Sequence, residues 1–237
     1  MLKLNCCFCF IFYMLSTNAY SMAASPPVNL EQAIQQAINR YGRQTESELK
    51  DFFKEAEVRY PPKKIALLAF KKEQNLQLWA KNKNKTWRHI HTYPLTASSG
   101  ALGPKLKEYD FQIPEGIYQL TAFNPFSQMH LSMKINYPNA FDKKKALKEG
   151  RTQLGGDIFL HGKAESVGCL AIGNHAIDQL FMLSHQVGLK QIQLIIAPND
   201  FRLGKPRKKY PSQPRWLPEL YRQIENRLAR FPIKEQV

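Results

Sequence analysis

DIFLHGKAESVGCLAIGNHAIDQLFMLSHQVGL, residues 157–189, carries more information than any other stretch of this 237-residue chain. Asp157 to Leu160 reads as a short strand that delivers His161 and Gly162. Cys169 follows eight residues after His161, preceded by Ser166 and Gly168. Asn174 is placed to cap a helix whose apolar stripe is Ala176, Ile177, Leu180, Phe181 and Val187. Asp178 falls in the expected first turn, where a negative charge complements the dipole, and Gly188 suits the far end. QIQLIIA, residues 191–197, is then a buried strand ended by Pro198.

A thiol near pKa 8.5 is mostly protonated at neutral pH, and the thiolate is the nucleophile. An imidazole within hydrogen-bond reach can take that proton and leave an ion pair. The loop from His161 to Cys169 is long enough to bring the two side chains together. Gly168 leaves the backbone free to aim its own amide and that of Cys169 at one point. Such amides stabilise a tetrahedral oxyanion by about 3–4 kcal/mol per donor. Cysteine and histidine so spaced read as acyl transfer. The competing reading is a lone cysteine buried as a small hydrophobe.

Outward from this unit the texture is that of a β protein. IALLAF (65–70) and LQLW (76–79) form an expected hairpin across KKEQN. KNKNKTWRH (81–89) is basic and reads as a solvated loop or a protected edge strand. Ser98–Asp110 is loop, and Pro114-Glu115-Gly116 suits a turn. Strand-like runs follow at IYQLT (117–121) and HLSMKI (130–135), and KKKALKEGR (143–151) is a polar connection. Upstream, Leu30, Ala33, Ile34, Ala37, Ile38 and Tyr41 recur at helical spacing. Gly42 interrupts, and Leu49, Phe52, Phe53 and Ala56 make a second stripe, so an accessory helical pair is expected. Downstream, Leu217, Leu220, Tyr221, Ile224 and Leu228 mark an amphipathic helix after a basic, proline-bearing run.

Lys and Arg number 34 and Asp and Glu 19, a net charge of +15, and 43% of residues are apolar. That composition supports a sizeable core and argues against a disordered acidic chain or a disulfide-dense scaffold. The single long apolar run, Cys6–Leu15, lies behind Lys3 and ahead of STNAYSMAAS. This is the layout of a cleaved secretory signal, expected to end at Ser21 or Ala24. Cleavage would remove Cys6, Cys7 and Cys9 and leave Cys169 without an internal disulfide partner. The positive charge then suits an anionic envelope polymer or membrane surface, since export argues against nucleic acid. His175 and His185 stand ten apart on one expected helix and point about 80° out of alignment, so no metal site is expected.

HGKAESVGCLAIG (161–173) resembles the signature of the L,D-transpeptidase catalytic domain family (YkuD-type), a His-Gly followed by Ser-x-Gly-Cys. The short spacing is similar to that of the murein L,D-transpeptidase-like subgroup from Gram-negative periplasms. The resemblance runs through YPPKKIALLAFKKEQNLQLWA, FQIPEGIYQL and MHLSMKINYPNAFD, covering residues 59–200. Ala171 departs from the Arg or Asn of many members. The resemblance implies an α+β chain: a β-rich, sandwich-like core with helices at both termini. Its implied divisions are a signal at 1–24, a helical segment at 25–58, the catalytic domain at 59–200 and a basic extension at 201–237.

It also implies Cys169 as nucleophile, His161 as general base, and the amides of Gly168 and Cys169 as oxyanion hole. Ser166, Gly162 and His130 are candidates for substrate contact. The implied reaction attacks the diaminopimelate carbonyl of a peptidoglycan stem peptide through a thioester, without metal or organic cofactor. The acceptor is an amine, including that of an outer-membrane lipoprotein, in a periplasmic monomer. Water as acceptor gives an amidase or carboxypeptidase instead, and a relic site gives a non-enzymatic cell-wall binding module.

Overall fold

The computed structural model describes residues 29–204 and 213–233, without the side chains at 43 and 44. The signal reading of residues 1–24, with Cys6, Cys7 and Cys9, lies outside the described residues, as do residues 205–212 of the basic run. No helix among the described residues is long and apolar enough to cross a membrane.

Helix α1 spans Leu30–Glu55, capped where the Asn29 side chain accepts the Glu31 amide at 3.0 Å. The two stripes expected on either side of Gly42 are one continuous helix. Gly42 fits because its bare Cα faces Met182, whose Sδ would lie 3.3 Å from an added Cβ. Ile34, Ala37, Leu49 and Phe53 of α1 are buried in the main core. The helix is thus a wall of the domain rather than an accessory.

Strands β1 (Ile65–Phe70) and β2 (Asn75–Lys81) form the expected hairpin, and β3 (Trp87–Pro94) pairs with β2 at the sheet edge. Then come β4 (Gly116–Tyr118), β5 (Leu120–Asn124), β6 (Ser132–Ile135) and helix α2 (Ala140–Lys148). Strands β7 (Phe159–His161) and β8 (Leu170–Ala171) precede helix α3 (Asn174–Val187), strand β9 (Ile192–Ala197) and helix α4 (Leu217–Leu228). One sheet has the order β3-β2-β1-β9-β4 and the other β5-β6-β7-β8. The β1–β9 and β7–β8 pairs are parallel. The chain is α+β with helices at both ends of the described residues.

The five-stranded sheet is buried on both faces, which is why IALLAF is apolar throughout instead of alternating. Ile65, Leu67 and Ala69 face the main core, with Leu194 and Ile196 of β9. Met133, Leu160 and Leu170 of the second sheet, and Ile177, Leu180 and Phe181 of α3, complete that core. Ala66, Leu68 and Phe70 face a second core roofed by Leu217, Leu220, Ile224 and Leu228 of α4. Each such fully buried Leu, Ile or Phe contributes about 1.5–3 kcal/mol.

Three local expectations are corrected. IYQLT is not one strand, because the chain changes sheets between β4 and β5. Most of the polar connection 143–151 is helical, started by a capping box in which Asn139 and Asp142 satisfy each other's backbone amides. Asn174 does not cap α3; it is the first helical residue, behind Gly173, which makes no side-chain cap. Its Oδ1 accepts the Lys163 amide at 2.8 Å and so ties the loop before Cys169 to the helix.

Candidate active site

Register sets the site. Leu160 pairs with Leu170 and His161 with Ala171, and both leucines point into the main core. The alternate positions therefore share the opposite face. Continued back one residue, the register sets Cys169 beside Phe159, on the same face as His161. Strand β6 adds Ser132 beside His161 and Lys134 beside Phe159. One row of this face is thus Ser132, His161 and Ala171, and the next is Lys134, Phe159 and Cys169.

His161 is buried, at 3% exposure. Its Nδ1–H donates to the Gly162 carbonyl at 2.6 Å, which fixes the tautomer and leaves Nε2 with the lone pair. Burial pushes its pKa below the ordinary imidazole value, against weaker upward pulls from that carbonyl and from Glu165. Cys169 is half-buried. The Phe159 amide donates to its Sγ at 3.4 Å, and the thiol points to the Asp157 carbonyl at 3.8 Å. Burial pushes the thiol pKa up, and Asp157 adds to this; the Phe159 amide and Lys105 pull it down. Both shifts favour uncharged forms. The expected ion pair is not the resting arrangement here: no hydrogen bond joins Sγ to His161, because the thiol is turned toward Phe159 and Asp157.

The oxyanion hole is also revised. The Gly168 amide donates to Ser99 Oγ at 2.7 Å, so it is already engaged. Ser166 Oγ donates to the Cys169 carbonyl at 2.8 Å and lies 3.2 Å from Ser99 Oγ. With those two donors assigned, Ser99 Oγ–H donates to Ser166. The result is a one-way chain of hydrogen bonds, Gly168 to Ser99 to Ser166 to Cys169, which stitches the turn under the nucleophile. The Cys169 amide has no protein acceptor among the described residues. Gly168 has φ +106° and its Cβ position lies 3.1 Å from the Gln112 carbonyl, so both backbone angle and space demand glycine.

The substrate-contact candidates divide. Ser166 is in the turn beside Cys169, and its one hydroxyl proton is spent on the Cys169 carbonyl. Gly162 is buried; a Cβ there would lie 2.7 Å from Asn174 Oδ1 and 2.9 Å from the Met129 carbonyl. Close packing accounts for it, not an open surface. His130 lies behind Gly162, its ring 2.7 Å from Asp178 Oδ1 and edge-on to Tyr41. Asp178 therefore pairs with this histidine instead of serving the first turn of α3. His175 and His185 reach Glu48 and Glu31, joining α3 to α1.

Ser99, Thr96, Lys105 and Gln112 are the site residues that spacing did not reveal. An Ala97–Ala171 bridge seats their segment on the free side of β8, and Thr96 Oγ1 donates to the Lys163 carbonyl at 2.6 Å. Their only sequence signal was a loop with small residues. Left-handed φ values at Tyr109, Phe111, His130, Asp157 and Lys163 lie in the loops bordering this face. Such conformations concentrate at functional sites.

A family model described as YkuD, L,D-transpeptidase catalytic domain, matches residues 64–187, more than half of the chain. "Putative L,D-transpeptidase YafK" of Escherichia coli K12 is 31% identical over 139 residues, which is 56% of this chain and 54% of that protein. Its namesake in Escherichia coli O157:H7 matches equally. The chain spans about half the length of the curated relatives it matches. Among solved structures, the helical cell shape determining protein Pgp2 of Campylobacter jejuni aligns with TM-score 0.47 and 23% identity, over 62% of this chain and 50% of that one. Bd1075 of Bdellovibrio bacteriovorus aligns with TM-score 0.42 and 22% identity, over 70% and 53%. Since the family model runs from the first strand through α3 and contains both His161 and Cys169, this chain belongs to the L,D-transpeptidase catalytic domain family.

Proposed function

We propose that this protein is a cysteine acyltransferase acting on peptidoglycan stem peptides outside the cytoplasm, after cleavage of its N-terminal signal. The observation that carries this reading is the shared face of Cys169 and His161, with the tautomer of His161 fixed so that Nε2 accepts a proton. Rotation about χ1 turns Sγ from Phe159 toward His161. As Sγ attacks the diaminopimelate carbonyl carbon, its proton passes to His161 Nε2. The Cys169 amide holds the developing oxyanion. The C–N bond then breaks, His161 returns the proton to the leaving amine, and a thioester remains. An acceptor amine attacks the thioester, His161 takes its proton, and the thiol is restored. Peptidoglycan is anionic, which suits a chain of net charge +15.

The test is to incubate the protein with diaminopimelate-type muropeptides and read the products by mass spectrometry. New crosslinks, absent with Cys169→Ala, support the transferase. A stem shortened with uptake of water assigns the same site to hydrolysis. An active Cys169→Ala variant overturns the site. That variant is expected to keep its melting temperature, since it removes one half-buried sulfur with weak partners.

A further inference from the structure

A second cavity, of about 460 Å3, opens at the β4 edge of the five-stranded sheet, and its lining excludes His161 and Cys169. Three cations line it: Lys64 before β1, Lys190 before β9 and Arg227 of α4. None of the three makes an ion pair among the described residues, and no carboxylate lines the cavity. Asp142, next in the chain to the lining residue Phe141, has its carboxylate taken up by the Asn139 amide and the Tyr118 hydroxyl.

A further observation points the same way. Gln193 Nε2 is buried in the lining with no hydrogen-bond partner, and a buried donor without an acceptor costs about 1–3 kcal/mol. Gln193 lies on the sheet face that α4 roofs over at Ile195 and Ala197, just where that roof gives way to the cavity. Asn139, Ala140 and Phe141 at the start of α2 also line it, but the amides of Asn139, Phe141 and Asp142 are already taken by the capping box, so the cations and Gln193 are the groups left for a ligand.

We infer that this cavity binds an anion carrying at least two negative charges, a phosphate or a pair of neighbouring carboxylates, held by Lys64, Lys190, Arg227 and the Gln193 amide. An acceptor oxygen there satisfies Gln193 Nε2 and supplies the counter-charge that the lining lacks. The chemistry is common to a soluble phosphorylated or carboxylated compound and to an anionic lipid headgroup.

The experiment uses the purified protein at low salt and needs no turnover at Cys169, so its failure is separate from failure of the acyltransferase reading. Calorimetry with inorganic phosphate and with citrate reads the soluble source. Co-sedimentation with vesicles containing phosphatidic acid, whose headgroup is a phosphomonoester, against phosphatidylcholine alone, reads the lipid source. The triple variant Lys64→Gln/Lys190→Gln/Arg227→Gln is compared with Lys54→Gln/Lys72→Gln/Lys148→Gln, an equal charge change elsewhere. Circular dichroism confirms that both fold. Binding to either source is expected to weaken about tenfold or more in the first variant and to hold within about threefold in the second. Gln193→Leu is expected to weaken binding without changing net charge. Equal losses in both triple variants, or no binding of any probe by the unaltered protein, overturns the site.

Discussion

At Cys169 and His161 the surroundings hold a neutral thiol beside a neutral imidazole. The sign of each shift dictates the pH behaviour. In the proposed reaction His161 works while deprotonated, and its pKa is lowered from 6.5, so activity is expected to be lost only as pH falls below 6.5. The thiol is raised from 9.0, so the rate of iodoacetamide labelling of Cys169 in the native protein is expected to rise with pH through neutrality and past 9.0 before it levels off. A labelling rate already flat at neutral pH reveals a standing ion pair and refutes the neutral assignment. Ser99→Ala removes the acceptor of the Gly168 amide and the donor to Ser166. We expect it to cost about 1–3 kcal/mol in urea unfolding and to lower kcat more than it raises KM. An unchanged kcat excludes a positioning role for Ser99. The Cys–His pair was legible because both residues sit in one short stretch of chain. Ser99 was not, because it acts across 69 residues, and a serine in a loop carries no periodicity that announces a distant partner.

Among elements, α1 shows how burial overrides local signals. Phe53 is 0% exposed within the main core. Phe53→Ala is expected to cost about 3–5 kcal/mol, read from the urea midpoint. A loss under about 1 kcal/mol, the scale of a surface change, returns α1 to the status of an appendage. The apolar strands β1 and β9 were readable because both sheet faces are covered, which leaves β1 an unbroken apolar run and β9 one interrupted only by Gln193. Gly42 misled because glycine in a helix interior usually weakens it, whereas here a sulfur of α3 needs the space. Helix α2 was missed because its start is encoded by the polar Asn139–Asp142 box, while its body has little apolar stripe to detect.

Over the whole molecule, one buried ion pair joins parts far apart in the chain. Lys71, just after β1, lies 3.0 Å from Glu115, and both are almost fully enclosed. Lys71 Nζ also donates to the carbonyls of Gly103 and Ile113, while Glu115 accepts from the Gly103 amide and the Tyr221 hydroxyl of α4. The loop whose Gln112 presses on Gly168 is thereby anchored to the sheet and the C-terminal helix together. Lys71→Met strands the Glu115 charge and is expected to cost about 3–5 kcal/mol by urea unfolding. The paired variant Lys71→Met/Glu115→Leu is expected to recover part of that loss. Equal losses in both deny that the stranded charge is the cause. The parallel pairing of β1 with β9 has a further consequence, in the order of synthesis. The first strand of the central sheet gains its inner neighbour only once β9 has been made, after the nucleophile and all of α3. A chain cut short between Cys169 and Ile192 carries Cys169 on a scaffold that lacks β9. Cys169 thus reaches the surroundings described above only in a chain whose synthesis has passed β9.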